Sequence, residues 1–183
     1  ECTQLLEKTP DVVTPNGFEA DFVPKGELFE KKRVAARKKL LHIASVLVGY
    51  EAPDDAVLIA TSGRYEFKNK GIDMYVDALN RLRLHYDGER EIIAFVLVPA
   101  WVNEPRADLL ERLASGESYR TPLPDPYITH TLHNMAEDKV VNQIRYCGFP
   151  QKPESKLKII FVPSYLTGND GIVDLTYYDT LIG

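Results

Sequence analysis

The sequence predicts an α/β domain built on a parallel sheet, and two observations carry that reading. Three runs, residues 56–61 (AVLIAT), 91–98 (EIIAFVLV) and 157–162 (LKIIFV), are almost continuously apolar. Strands covered on both faces of a sheet look like this. Between residues 56 and 98 the order is strand, polar loop, amphipathic helix, strand. That is a βαβ unit, which implies parallel strands joined by a right-handed crossover. A chain of 183 residues, 44% hydrophobic and 27% charged, can bury a sizeable core in one domain or one domain with an appendage.

The elements follow in order. Residues 11–14 (DVVT) are a short β-branched run, and Pro15-Asn16-Gly17 marks a turn. Residues 26–48 read as a helix with Leu28, Val34, Ala35, Leu40, Leu41 and Ala44 on its apolar side, stopped by Gly49. Its basic run, Lys31 to Lys39, reads as a solvated face. Residues 71–86 form an amphipathic helix whose Ile72, Tyr75, Val76, Leu79 and Leu82 share one face. Pro99 stops the second strand. Residues 101–128 carry a short helix near 106–114 and an irregular SYRTPLPDPY, with three prolines in ten residues. Residues 135–146 read as a helix capped by Asn134. After the third strand comes a loop rich in Gly, Asn and Asp, and TYYDTLIG reads as the opening of another helix.

Charge and cysteine usage exclude some classes. A net charge of −5 argues against nucleic acid or an anionic membrane as partner. No run reaches the length of a membrane helix, and no signal peptide is visible. Cys2 and Cys147 are far apart with no CxxC pair, which suits unpaired thiols in a reducing, cytoplasmic setting. The polar start and abrupt end read as an excised piece of something longer.

The chemistry concentrates in Ser62-Gly63-Arg64-Tyr65-Glu66-Phe67-Lys68-Asn69-Lys70-Gly71. This stretch links the carboxyl end of a parallel strand to a helix N-terminus, the crevice where open α/β sheets bind ligands. A helix N-terminus offers backbone N–H groups and partial positive charge to an anion. Arg64 adds a planar fork for two phosphate oxygens, and Lys70 a compact charge on a mobile stem. Gly63 and Gly71 let the backbone approach closely. Diphosphate binding is the expectation; a solvated turn is the alternative. Neither a GxGxxG nor a GxxxxGK[ST] pattern is present, which disfavours dehydrogenases and P-loop kinases. His130 and His133 lie three apart, but beside Tyr127 and Asn134 they read as shaping a loop, so no metal is expected.

SGRYEFKNKG followed by IDMYVDALNRL resembles a signature of the glycogen synthases of animal, fungal and Bacteroides type, UDP-glucose-dependent family-3 glycosyltransferases. PDVVTPNGFE, IIAFVLVPA, THTLHNMAED and LKIIFVPSYLTGNDGIVDLTYYDTLIG resemble further segments of that family in the same order. The resemblance implies a GT-B architecture of two Rossmann-like domains facing across a cleft. Residues 1–22 would be the tail of the N-terminal domain and the linker. Residues 23–183 would be a partial C-terminal Rossmann-like domain, a three-layer parallel sheet with an irregular insertion at about 101–128. The implied reaction is transfer of glucose from UDP-glucose to the non-reducing end of an α-1,4-glucan with retention, in glycogen biosynthesis.

By that resemblance Gly63, Arg64, Lys70 and Gly71 bind the nucleotide-sugar. Arg64 and Lys70 are also catalytic, stabilising the leaving UDP without a metal or other cofactor. UDP-glucose and glycogen are the implied partners, with room for a homo-oligomer. The family's paired glutamates, its uracil-stacking aromatic and its N-terminal domain find no counterpart here, so the piece alone is expected to be inactive. Matching is poor in the basic 31–42 and the Pro-rich 101–128. Neither glucose 6-phosphate activation nor the eukaryotic tetramer is therefore carried over. An ADP-glucose-dependent glycogen or starch synthase, or another GT-B enzyme, is one alternative; a non-catalytic Rossmann-like nucleotide-binding module is another.

Overall fold

The structure, a computed structural model, describes residues 2–15, 17, 20–116 and 121–183. Asn16 of the Pro15-Asn16-Gly17 turn and residues 118–120 of SYRTPLPDPY lie outside the described residues. A short helix, α1 (Cys2–Leu5), and a 3-10 turn at Ala20–Phe22 precede the domain. The domain then runs α2 (Gly26–Val48), β1 (Val57–Ser62), α3 (Ile72–His85), β2 (Ile92–Leu97), β3 (Val102–Pro105), α4 (Ala107–Ser115), β4 (His130–Leu132), α5 (Lys139–Cys147), β5 (Leu157–Val162) and α6 (Tyr177–Ile182).

Strands β1, β2 and β5 form a parallel sheet in that order, with Val57 opposite Ile92 and Ile92 opposite Leu157. Alternation along the strands splits the core into two halves. Ile93, Phe95, Leu97, Ile160 and Val162 pack with Leu40, Ile43, Ala44 and Leu47 of α2 and Leu109 of α4. Ile92, Ala94, Val96, Ile159 and Phe161 pack on the other side with Ile72, Val76 and Leu79 of α3 and Val140, Val141 and Ile144 of α5. The result is the expected three-layer, Rossmann-like α/β arrangement.

Several expectations are corrected. The run 56–61 is not buried on both faces: from Val57 on, β1 is half-buried apart from an exposed Ala60, because it forms an edge of the described sheet. In α2, Leu28 and Val34 are exposed and Ala36, not Ala35, faces the core. Its basic run is not purely solvated, since Lys32 pairs with Asp179 of α6 at 2.8 Å and Arg37 donates to the Asp54 carbonyl at 2.7 Å. In α3, Leu82 is exposed and Tyr75 half-buried. Helix α5 begins four residues later than expected, and Asp138 caps it by accepting from the Val141 amide at 2.9 Å. Asn134 instead donates to Glu137 at 2.6 Å, within the turns before the helix.

The Pro-rich stretch is more ordered than its composition suggests. β3 and β4 pair antiparallel, and Ile128 bridges to Phe161, continuing the sheet beyond β5. Arg106, 8% exposed, organises the segment. It donates to the carbonyls of Pro124 (2.6 Å), Asp125 (2.8 Å) and Ile128 (3.0 Å), and pairs with Asp108 at 2.6 Å. Three carbonyls that proline-broken backbone cannot satisfy are thereby bonded. Cys2 is exposed, Cys147 buried, and neither is in a disulfide. Among the described residues, no helix is long and apolar enough to cross a membrane.

Candidate functional site: a cleft at the carboxyl ends of the strands

The carboxyl ends of β1, β2 and β5 open on a cleft of about 620 Å³. Gly63 to Glu66 form one wall, Leu97 and Pro99 the floor beyond β2, and Ser164 to Thr167 with Tyr177 the opposite wall. Of the four predicted site residues, Gly63 and Arg64 line the cleft. Lys70 and Gly71 do not; they lie at the far end of the loop, where α3 begins, with Lys70 exposed.

Gly63 has φ +138, a conformation that L side chains rarely adopt, and a Cβ built there would meet open space. Backbone conformation, not crowding within the protein, therefore requires glycine at that position. Arg64 is 81% exposed, with its Nε 3.3 Å from Glu66 Oε1. The start of α3 differs from expectation. Lys70 N–H donates to the Glu66 carbonyl (2.9 Å), Gly71 to Lys68 (3.0 Å) and Ile72 to Phe67 (3.0 Å). The Met74 amide donates to Asp73 Oδ1 at 2.9 Å. The helix keeps its dipole, but these amides are already bonded and do not form an open anion cradle. Any attraction for an anion at this end of the loop falls to the side chains of Arg64 and Lys70.

Two aromatics that the sequence reading left unassigned hold the loop. Phe67 packs against the core between α3 and α5. Tyr65 donates to Asp138 Oδ2 at 2.7 Å and accepts from the Val140 amide at 3.3 Å. Burial and the neighbouring carboxylate push the Tyr65 hydroxyl well above its ordinary pKa, so it remains a donor. The alternation Tyr65, Glu66, Phe67 was the available signal: two large rings in a polar loop must be buried somewhere. Tyr65→Phe is expected to cost about 1–2 kcal/mol, read as a lower urea midpoint.

The facing wall is held by Asp170. Its carboxylate accepts from Ser164 Oγ (3.1 Å), the Val173 amide (3.2 Å) and the Asp174 amide (2.6 Å). His130, 2% exposed, braces this turn: Nε2 lies 3.0 Å from the Asp170 carbonyl and Nδ1 2.8 Å from Thr129 Oγ1. His133 is instead exposed against Trp101. The two histidines thus belong to different surroundings, and no group of three or more His, Cys, Asp or Glu among the described residues could hold a metal ion. Tyr177, which also lines the cleft, bonds Ser62 Oγ at 2.7 Å through its hydroxyl. It ties α6 to the end of β1.

Burial lowers the His130 pKa below 6.5, outweighing the opposing effect of Asp170 and Asp174. A folded-state pKa below the unfolded one means the unfolded chain binds the proton first. Stability is then complete above the unfolded value and falls as pH drops below it. Urea midpoints are expected to decline between about pH 7 and about pH 5. His130→Gln should flatten part of that slope; the remainder belongs to His42, whose pKa burial and Lys39 also lower.

Residues 1–122, two-thirds of the chain, match the family model described as Glycogen synthase. Along its whole length the chain is 26% identical, over 239 aligned residues, to glycogen (starch) synthase of Neurospora crassa, covering 34% of that protein. It is 27% identical over 249 residues to glycogen (starch) synthase isoform 2 of Saccharomyces cerevisiae, covering 35%. The corresponding Dictyostelium discoideum protein is 23% identical over 238 residues, 27% of its length. The chain thus spans about a third of the length of the first curated relatives it matches. Because the aligned stretches exceed 183 residues, those relatives carry segments with no counterpart here. The match covers both βαβ strands and the cleft loop at Gly63–Gly71, and on it the chain belongs to the glycogen synthase family.

Proposed function

We propose that this chain is the donor-binding portion of a cytoplasmic glucosyltransferase that moves glucose from UDP-glucose to an α-1,4-glucan with retention. In this reading residues 1–22 belong to the end of an N-terminal domain and linker, and residues 23–183 to the C-terminal half of a GT-B enzyme. The observation that carries the proposal is the position of Arg64: an exposed guanidinium on the wall of a cleft at the carboxyl ends of parallel strands.

In the reaction, the bond between glucose C1 and the diphosphate oxygen breaks. C1 then bonds to the 4-hydroxyl oxygen of the terminal glucose on the glucan, whose O–H bond breaks as its proton passes to the departing UDP. Negative charge grows on the departing UDP as the first bond lengthens. Arg64 at the cleft wall and Lys70, swinging in from the start of α3, would stabilise that charge.

The test is a titration of the protein with UDP, following backbone amide resonances. The amides of residues 62–71 should shift at roughly millimolar UDP, and Arg64→Ala should abolish the response. No response from them in the wild-type protein would overturn the proposal. A clear preference for ADP over UDP would overturn the donor assignment alone.

A further inference from the structure

Trp101 is the only tryptophan in the chain, and it is 73% exposed. It follows β2 and lies against the His133 ring, with centroids 5.0 Å apart and planes inclined by 39°. The His133 amide donates to the Trp101 carbonyl at 3.1 Å, fixing the pair's backbones together. Beside them is a hollow of about 230 Å³ lined by Tyr65, Trp101, Leu132, Asn134, Glu137 and Asp138. Its base is rigid, because Tyr65 donates to one Asp138 oxygen and the Val141 amide to the other. Exposed Asn134 and Glu137, bonded at 2.6 Å, present an amide and a carboxylate at the rim.

This is a flat aromatic face ringed by planar hydrogen-bonding groups, with no lysine or arginine among its lining residues. It suits an uncharged polyhydroxylated ring: C–H bonds lie on the indole, and hydroxyls bond to Asn134 and Glu137. It does not suit an anion. Tyr65 lines both this hollow and the donor cleft, so the two are neighbours. We propose that Trp101, held in place by His133, forms with Asn134 and Glu137 a sugar subsite that receives a glucose unit of an α-1,4-glucan next to the donor cleft. This rests on the glucosyltransferase reading above.

The single tryptophan makes the test site-specific. Maltotetraose should change Trp101 fluorescence saturably, with a dissociation constant on the order of 1 mM. Cellotetraose, the β-1,4 isomer, should bind at least about fivefold more weakly, and His133→Ala, which keeps the fluorophore, should weaken maltotetraose binding by about fivefold. Absence of a saturable change, equal responses to both isomers, or a signal that tracks protein concentration instead of sugar would each overturn the subsite. UDP-induced amide shifts at residues 62–71 report on the donor cleft separately. If those shifts persist while maltotetraose leaves Trp101 unchanged, the subsite fails and the glucosyltransferase reading stands.

Discussion

Lys158→Met is expected to lower the unfolding free energy by about 3–5 kcal/mol, the usual cost of leaving a buried charge without its partner. Lys158 is 1% exposed although it lies within β5. Its ammonium pairs with Glu91, itself 6% exposed, and donates to the Ser155 carbonyl at 2.6 Å. The Tyr50 ring lies 4.3 Å from Nζ, and the Tyr50 hydroxyl donates to the same Glu91 carboxylate. Burial lowers the Lys158 pKa, while the Glu91 carboxylate opposes the shift. The cluster ties the amino ends of β2 and β5 to the chain just after α2. Methionine keeps the volume but strands Glu91 in the interior. A second change, Glu91→Gln, removes that stranded charge, so the double variant should recover at least about 1 kcal/mol over Lys158→Met alone. Urea denaturation of the three variants decides it. A loss below about 1 kcal/mol for Lys158→Met would mean water already reaches the pair.

That cluster marks a limit of what the sequence made visible. The run LKIIFV was legible as a strand because five of six residues are apolar, but nothing in the run marks its lysine as buried and paired. Its burial depends on Glu91 and Tyr50, which lie more than sixty residues earlier and carry no local pattern. Arg106 is similar: composition marked its surroundings as proline-broken, but not that one guanidinium would gather three carbonyls there. Helices and central strands were readable because period and apolarity are local signals. The hairpin of β3 and β4 was not, since each strand is only three or four residues long. In the cleft, Gly63 and Arg64 were found from loop chemistry, whereas the facing wall, Ser164 to Thr167 with Tyr177, came into view only through tertiary placement. The N-terminal amides of α3 show the converse. Sequence position suggested free donors, and the turn Glu66–Gly71 had already bonded them.

The sheet therefore has one end closed by a buried ion pair and the other open to solvent through short, anchored loops. Tyr65 and Phe67 fix the backbone on either side of Glu66 while leaving Arg64 exposed. A preorganised loop that carries an exposed cation can present it to charge that develops during a reaction.

On the glucosyltransferase reading, Arg64→Ala is expected to reduce kcat by about 10²–10³, as losing one well-placed donor to a developing oxyanion does elsewhere. Arg64→Lys should recover only part of this, because an ammonium cannot make the two parallel hydrogen bonds of a guanidinium to phosphate oxygens. Glu66 works in the opposite sense. Its carboxylate competes with an incoming diphosphate for the Arg64 Nε, which lies 3.3 Å from Glu66 Oε1. The pair is largely exposed, so that competition costs less than about 1 kcal/mol. Glu66→Gln should then tighten UDP binding by no more than about fivefold, and by less as salt is added. Steady-state kinetics with UDP-glucose, on the full-length enzyme that carries this portion, separates the roles. A loss confined to KM would make Arg64 a binding group for ground state and transition state alike. A fall in kcat and kcat/KM together would place its effect on the departing UDP.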